Sequence, residues 1–287
     1  MKPSPFEYLA ARDIDEALAA LAEHDGEAKV LAGGQSLVPA MNFRLATPSL
    51  LVDVNRLEGL AGVAVSGDEL VIQALVRHVD LEVPASGDAT SLLLARVSHL
   101  VGHLPIRVRG TFAGSLAHAD PAAEWCMLAA ALDAIIVARS TRGARRIPAS
   151  KFFDGLFTTA LAADEIITEV RLPLLHDAGI GFREKSQTAG DFATVATVAT
   201  CSVGDAGIVV DMRLALAGAA STPVRAKRAE SLLVGQRPTP DALAAVARAA
   251  AEDVDPISDA HGSADYRRHL VEVLSRRALD DALGAAS

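Results

Sequence analysis

The sequence predicts an α+β protein of two domains, and three observations carry that prediction. The chain has 287 residues, which at about 150 residues per domain suggests two domains rather than one. The stretch Pro173 to Gly181 holds a proline, two glycines and little periodicity, which marks a boundary. Beyond it strand-like runs come first and helical runs afterwards, the pattern of α+β rather than of a doubly wound sheet.

Before the boundary, the first periodic segment is Ile14 to Glu23. Asp13 and Glu16 have capping-box spacing, Leu18 and Leu21 share a face, and Gly26 lies just past the end. A short strand, Lys29 to Ala32, runs into Gly33-Gly34, a helical turn is expected at Leu37 to Met41, and a second strand at Leu50 to Val54. Two apolar runs between Gly62 and Ala74 flank Ser66-Gly67-Asp68, a hairpin signal. Leu92 to Leu100 reads as a helix. Asp120-Pro121 predicts a capped helix with proline at its first position, running to about Asp133. Strands at Ala134 to Ala138 and Ile166 to Leu172 close this half. After the boundary come strands at Gly181 to Lys185, Ala193 to Val203 and Ile208 to Gly218, with Asp205-Ala206-Gly207 turning between the last two. Helices follow near Val224 to Val234, Pro240 to Asp253 and Ala264 to Leu283.

Composition removes several function classes. At 51% hydrophobic residues the chain supports a sizeable core, and 22% charged residues exclude a disordered chain. A formal net charge of −9 argues against nucleic acid as a partner, because phosphate backbones need a basic face. The short basic clusters, Arg142 with Arg145 and Arg146, and Arg225 with Lys227 and Arg228, read as solvated faces. Two distant cysteines, Cys126 and Cys201, give no disulfide framework and too few thiolates for an iron–sulfur cluster in this chain. No apolar leader or membrane span is apparent, so the expected location is the cytoplasm.

Two loops carry the chemistry. Ala32-Gly33-Gly34-Gln35-Ser36 lies between a strand and a helical turn. Adjacent glycines open backbone conformations closed to other residues and keep side chains out of a ligand's way. Successive N–H groups, with the Ser36 hydroxyl, then suit an anion such as pyrophosphate. An ordinary tight turn is the alternative, and Ser36 also reads as a helix N-cap. The second loop, Arg109-Gly110-Thr111-Phe112-Ala113-Gly114-Ser115, is again small and hydroxyl-bearing and leads toward a helix. Neither matches a Rossmann or Walker pattern; if a dinucleotide is bound, it is held by a different arrangement, with two loops gripping it from two parts of the chain.

The runs AGGQSLVPAMNFRLATPSLLVDVNRL, IRVRGTFAGSLAHADPAAEW and DEIITEVRLP with GFREKSQ resemble the FAD subunit of the xanthine dehydrogenase family, over essentially the whole chain. The type is that of carbon monoxide dehydrogenase medium subunits and bacterial N-heterocycle hydroxylases such as nicotine dehydrogenases. The resemblance implies a two-part PCMH-type (vanillyl-alcohol-oxidase-like) FAD-binding domain over 1–175, with subdomains of about 1–57 and 58–175. A smaller α+β domain, a three-stranded sheet with helices, follows over 178–287. It implies non-covalent FAD, with pyrophosphate on Ala32, Gly33, Gly34, Gln35 and Ser36 and with Lys29, Val30 and Leu31 leading in. Thr111, Ala113, Gly114 and Ser115 match the second FAD loop, which in the family commonly reads T-I-G-G-N or T-I-G-G-D; here Ala113 replaces a glycine and Ser115 an amide or acid. Glu124 stands where the family has an acidic residue near the ribose, Ile167 beside the adenine or flavin, Lys185 near the flavin's polar edge, and Phe192 as an aromatic ring over the isoalloxazine that lacks a tyrosine's hydroxyl.

The implied function is electron transfer. A large subunit carries molybdopterin and hydroxylates substrate, a small subunit carries two [2Fe–2S] clusters, and FAD on this chain passes electrons to an external acceptor. The implied assembly is a dimer of heterotrimers, and this chain has no catalytic residue and no metal of its own. A free-standing flavin oxidase and a cofactor-free scaffold are the alternatives. His78, His99, His103 and His118 lie at no zinc spacing and read as structural or surface residues. Cys126 reads as a small core hydrophobe, Trp125 as core or interface, and Lys185 on residue type alone as a solvated strand position.

Overall fold

The computed structural model describes residues 2–284. Met1 and 285–287, at the ends of the two expected domains, lie outside the described residues. The chain opens with β1 (Glu7–Ala10), α1 (Ile14–Glu23), β2 (Ala28–Leu31), α2 (Leu37–Asn42) and β3 (Leu50–Asp53). The strands form a parallel sheet in the order β1-β3-β2. Asp13 accepts from the Glu16 N–H and caps α1, which buries Ala17, Leu18, Ala20 and Leu21. Strand β1 has no sequence signal because its residues are exposed or half-exposed and show no alternating apolar face. At the carboxyl ends of this small sheet β2 opens into Ala32 and β3 into Asn55, side by side.

Next come β4 (Val63–Ser66), β5 (Glu69–Gln73), α3 (Ala89–Ser98), α4 (Leu104–Arg107), α5 (Phe112–His118), α6 (Glu124–Ala131), β6 (Ile135–Ser140) and β7 (Gly143–Pro148). A small hairpin, β8 (Phe153–Gly155) with β9 (Thr158–Thr159), and then β10 (Ile166–Pro173) complete this half. The large sheet runs β4-β5-β10-β6-β7, all antiparallel. Strand β7 exposes Arg145 and Arg146, which alternate between its two sides, with Arg145 bonded to Glu165. Its charges hid it from the apolar pattern, and their exposure is that expected of the cluster.

One helix start is corrected. Asp120-Pro121 does not open a helix: the Asp120 side chain accepts from the Ala122 N–H in a turn, and α6 begins at Glu124 without a side-chain cap. The turn leaves Asp120 to Ala122 as a loop against the second half. Trp125 and Cys126, the next residues of α6, are fully buried, which places Trp125 in the core.

The last third comprises β11 (Gly179–Lys185), β12 (Val195–Val203), β13 (Val209–Ala217), β14 (Val224–Arg225), α7 (Lys227–Ser231), α8 (Pro240–Glu252) and α9 (Ala264–Gly284). The three expected strands are present and gain β14, a two-residue edge, because Val224 and Arg225 pair with β13 before α7 starts. Strand β12 is buried on both faces. Ala196 and Val198 pack with Phe182, Ala215 and Ala217 onto the first-half core, whereas Val195, Ala199 and Cys201 face α7 to α9. Small residues permit this layering: a Cβ at Gly181 would run into the backbone of Ala278 in α9.

Candidate functional site

The first glycine loop keeps its shape through Gly34, whose φ of +72° favours a residue without Cβ. Gln35 Nε2 donates to the Gly33 carbonyl at 3.1 Å. Ser36 sits at the N-cap position of α2 but makes no side-chain cap bond, so its hydroxyl is not used in that way. Among the described residues no acceptor takes the N–H groups of Gly33, Gly34, Gln35 or Ser36. Lys29 is exposed, and Val30, Leu31 and Ala32 are half-buried on the way in.

The second loop is docked on the segment after β5. His78 N–H donates to the Gly110 carbonyl at 3.1 Å, and Phe112 N–H to the Val76 carbonyl at 3.0 Å. Thr111 is buried and its hydroxyl accepts from the Gly114 N–H at 3.1 Å, capping α5. Ala113 is buried beneath it, while Gly114 and Ser115 are half-buried. The two loops touch through their backbones. A Cβ on Gly33 would lie 2.5 Å from the Arg109 carbonyl oxygen and 2.6 Å from Gly110 Cα. A Cβ on Gly110 would lie 2.5 Å from His78 Nε2. Glycine at 33 is therefore required by the contact between the loops, and glycine at 110 by the packing of the second loop on His78.

The remaining expected residues lie farther along. Helix α5 has seven residues, about 10 Å of rise. It ends at Ala119, whose φ is +53°, and leads into Asp120-Pro121-Ala122. That loop lines a cavity of about 540 Å³ together with Phe157, Asp191, Phe192 and Arg267. Phe192 is 57% exposed. Arg267 is buried, donates to the carbonyls of Thr194 and Gly218, and pairs with Asp259 at 2.7 Å. Lys185 ends β11 exposed, its Nζ 2.9 Å from the Ser186 carbonyl. Glu124 is buried in the first turn of α6, and burial, with Glu184 and Asp120 adding, pushes its pKa up to about 8. Glu184 is raised to about 7 by burial and one of its oxygens finds no partner. Ile167 is enclosed in the core at a bulge of β10. The structure thus joins the two loops directly, sets Phe192 on a cavity at the far end of α5, and leaves Ile167 behind the apolar wall.

The histidines have structural surroundings. Trp125 Nε1–H donates to His78 Nδ1 at 3.0 Å, so that nitrogen is unprotonated, and burial with the Arg77 and Arg107 charges lowers the His78 pKa to about 4. His99 faces Glu82 and His118 packs on Phe157. No cluster of His, Cys, Asp or Glu suited to a metal occurs among the described residues, and no described helix is long and apolar enough to cross a membrane.

Sequence reasoning missed Asn55 and Arg77. Asn55 Nδ2 donates to the Ala32 carbonyl at 2.8 Å, and its Oδ1 accepts from Arg77 Nη2 at 2.6 Å. Arg77 Nη1 donates to the Arg109 carbonyl. The only trace in the sequence is a polar residue two positions after a strand, too common to single out.

This architecture and its paired glycine loops define a two-domain FAD-binding flavoprotein. Residues 4–175 match the family model for the FAD binding domain in molybdopterin dehydrogenase, and residues 181–282 match the CO dehydrogenase flavoprotein C-terminal domain. The chain belongs to the molybdopterin dehydrogenase FAD-binding family, as a medium, FAD-carrying subunit of molybdenum hydroxylase-type dehydrogenases. It is 38% identical to the 6-hydroxypseudooxynicotine dehydrogenase complex subunit alpha of Paenarthrobacter nicotinovorans, covering 100% of this chain and 97% of that one. It is 35% identical to the carbon monoxide dehydrogenase medium chain of Hydrogenophaga pseudoflava, covering 98% of each. Among solved structures, the carbon monoxide dehydrogenase of that organism superposes with a TM-score of 0.95 at 34% identity, covering 100% of each chain. Quinoline 2-oxidoreductase from Pseudomonas putida 86 does so with 0.92 at 35%, again covering 100% of each. The residues present fit the cofactor: among the described residues the N–H groups of the first loop at 33 to 36 have no acceptor, and Gly33 brings the second loop against the first with no side chain between them.

Proposed function

We propose that this chain receives electrons from [2Fe–2S] clusters on a small partner subunit and passes them to an external acceptor, while a large molybdopterin subunit performs the hydroxylation. The observation that supports this most is the backbone contact of Gly33 with Arg109 and Gly110, beside four N–H groups that have no acceptor among the described residues. That arrangement suits a diphosphate and offers no nucleophile with a base and an orienting group.

In this reading Ala32, Gly33, Gly34, Gln35 and Ser36 hold the diphosphate from one side, with Lys29, Val30 and Leu31 shaping the approach. Thr111, Ala113, Gly114 and Ser115 hold it from the other. Glu124, at the start of α6, serves the ribose, Lys185 the polar edge of the flavin, and Phe192 packs over the ring from the cavity rim. Ile167 contributes packing from the strand bulge rather than a polar contact. Bound FAD supplies the ability to accept electrons in one place and release them in another, and the protein supplies orientation and exclusion of side reactions. The division into 1–175, with parts 1–57 and 58–175, and 178–287 assigns the diphosphate loops to the first domain and Lys185 and Phe192 to the second. The names of the relatives, subunits of complexes, support large and small partners; we extend this to a dimer of heterotrimers.

The test is reconstitution. FAD-free full-length chain titrated with FAD should take up one equivalent and quench flavin fluorescence. No binding by the wild-type chain would remove the site assignment.

A further inference from the structure

Three hydrogen bonds and one close backbone approach, joined by the Ala32–Gly33 peptide bond, close a ring around the junction of the two loops. The Ala32 carbonyl accepts from Asn55 Nδ2 at 2.8 Å, Asn55 Oδ1 accepts from Arg77 Nη2 at 2.6 Å, and Arg77 Nη1 donates to the Arg109 carbonyl. That same carbonyl oxygen lies 2.5 Å from where a Cβ of Gly33 would stand, and Gly33 is the neighbour of Ala32. The ring is anchored outward. Asp53 accepts from the Asn55 side chain at 2.6 Å and from the Tyr8 hydroxyl at 2.6 Å. Burial raises the Asp53 pKa, but the bonds from Tyr8 and Asn55 outweigh it and hold the carboxyl below its ordinary value, so it stays an acceptor.

The positive charge at this junction is compensated only in part. Among the described residues neither Arg77 nor Arg109 has a carboxylate within ion-pairing distance, although most other arginines of the chain do. Burial lowers the Arg77 pKa and the nearby Arg109 charge lowers it further, against a smaller opposing pull from Asp80 and Asp53. Two like charges at the meeting point of the loops lie beside the first loop, whose N–H groups at 33 to 36 have no acceptor among the described residues. In a chain of net charge −9 they ask for an anion there. A planar guanidinium forked onto two oxygens also fixes orientation in a way an ammonium does not.

We propose that Asn55 and Arg77 form one side-chain strut that sets the spacing of the two loops and presents the Arg77 charge at their junction, as the positioning element for the FAD diphosphate. This rests on FAD occupying the loops in the proposed way. Because both residues belong to one chain of bonds, losing either releases the same constraint. Replacing both should cost little more than replacing one.

The experiment titrates FAD into the FAD-free full-length chain for wild type, Arg77→Met, Arg77→Lys, Asn55→Ala and the Asn55→Ala/Arg77→Met pair. Hydrogen exchange is followed in peptides covering 31–36 and 108–112. Removal of a charged hydrogen-bond donor predicts a rise in FAD Kd of about tenfold to a hundredfold for Arg77→Met. Arg77→Lys should recover only part of that loss, and the double variant should lie within about threefold of Arg77→Met. Exchange should quicken in both loops of Arg77→Met without FAD. Kd within twofold of wild type in Arg77→Met, or single losses that add in full in the double variant, would overturn the strut. Absence of FAD binding by the wild type would instead overturn the cofactor site itself, so the two failures are told apart by the first titration.

Discussion

Gly33→Ala is the smallest change that probes the contact between the loops. The added Cβ would stand 2.5 Å from the Arg109 carbonyl oxygen, 2.6 Å from Gly110 Cα and 3.1 Å from the Arg109 carbonyl carbon. Ordinary contact distances are about 3.5–4.0 Å between carbons, so the loops must part by about 1 Å. All three obstacles are backbone atoms, and no flexible side chain can swing away. Overpacking of this kind costs roughly 1–3 kcal/mol. Part of it falls on the apo fold and, on the proposed site, part on the cofactor, because the displaced backbone carries the N–H groups assigned to the diphosphate. The FAD Kd should therefore rise by about tenfold or more. Gly67→Ala is the control: Gly67 has a positive φ, +61°, which Gly33 lacks, but no atom lies within 4 Å of its Cβ position. It should lose about 1 kcal/mol of stability from backbone strain and bind FAD as wild type does. Fluorescence titration and thermal melting of the three proteins decide it. Equal FAD affinity in Gly33→Ala and wild type would show that the loops do not act as one cradle.

Gly34→Val should abolish FAD binding for a different reason: at φ +72° a β-branched residue is strained, and its side chain would also crowd Leu31 and Val38. Retention of normal flavin content would reject the first loop as a ligand. Acid precipitation of the holoprotein should release the yellow colour into the supernatant, whereas colour in the pellet would mean a covalent link. Glu124 gives a pH signature in the FAD-free chain. Its folded pKa of about 8 exceeds the ordinary 4.5, so the folded chain keeps a proton that the unfolded chain releases. Its contribution is complete below pH 4.5 and is lost as pH rises to about 8. Glu124→Gln should remove that decline and gain on the order of a few kcal/mol at about pH 8.5; parallel denaturation profiles for the two proteins between about pH 5 and 8.5 would contradict it.

Much of the fold was legible because its segments are periodic and punctuated. The Asp13 cap, the Ser66-Gly67-Asp68 turn and the run Val195 to Val203 each announce their element by local chemistry. What was missed lacks a local signal. Strand β1 is half-exposed, β7 is charged, and β14 has two residues that pair only because β13 is already there. The Asp120-Pro121 pair shows how a cap signal fails when tertiary contacts claim the turn: the Pro121 carbonyl accepts from the Gly218 N–H, which holds that residue against the second half. For the site, the glycine and hydroxyl loops stood out by composition and the family resemblance supplied their role. Asn55 and Arg77 did not, because their importance lies in which carbonyls they reach across 22 to 32 residues of chain.

The division of labour between this chain and its partners is tested by anaerobic rapid mixing with the substrate of the complex, carried out on the isolated subunit and on the assembled complex with and without FAD. If the chain only transfers electrons, the isolated subunit keeps its flavin oxidised. In the FAD-depleted complex substrate still reduces the iron–sulfur clusters, while turnover with the final acceptor is lost. Substrate-dependent bleaching of the isolated subunit at the rate of the full complex would contradict the electron-transfer assignment and make the chain an oxidase in its own right.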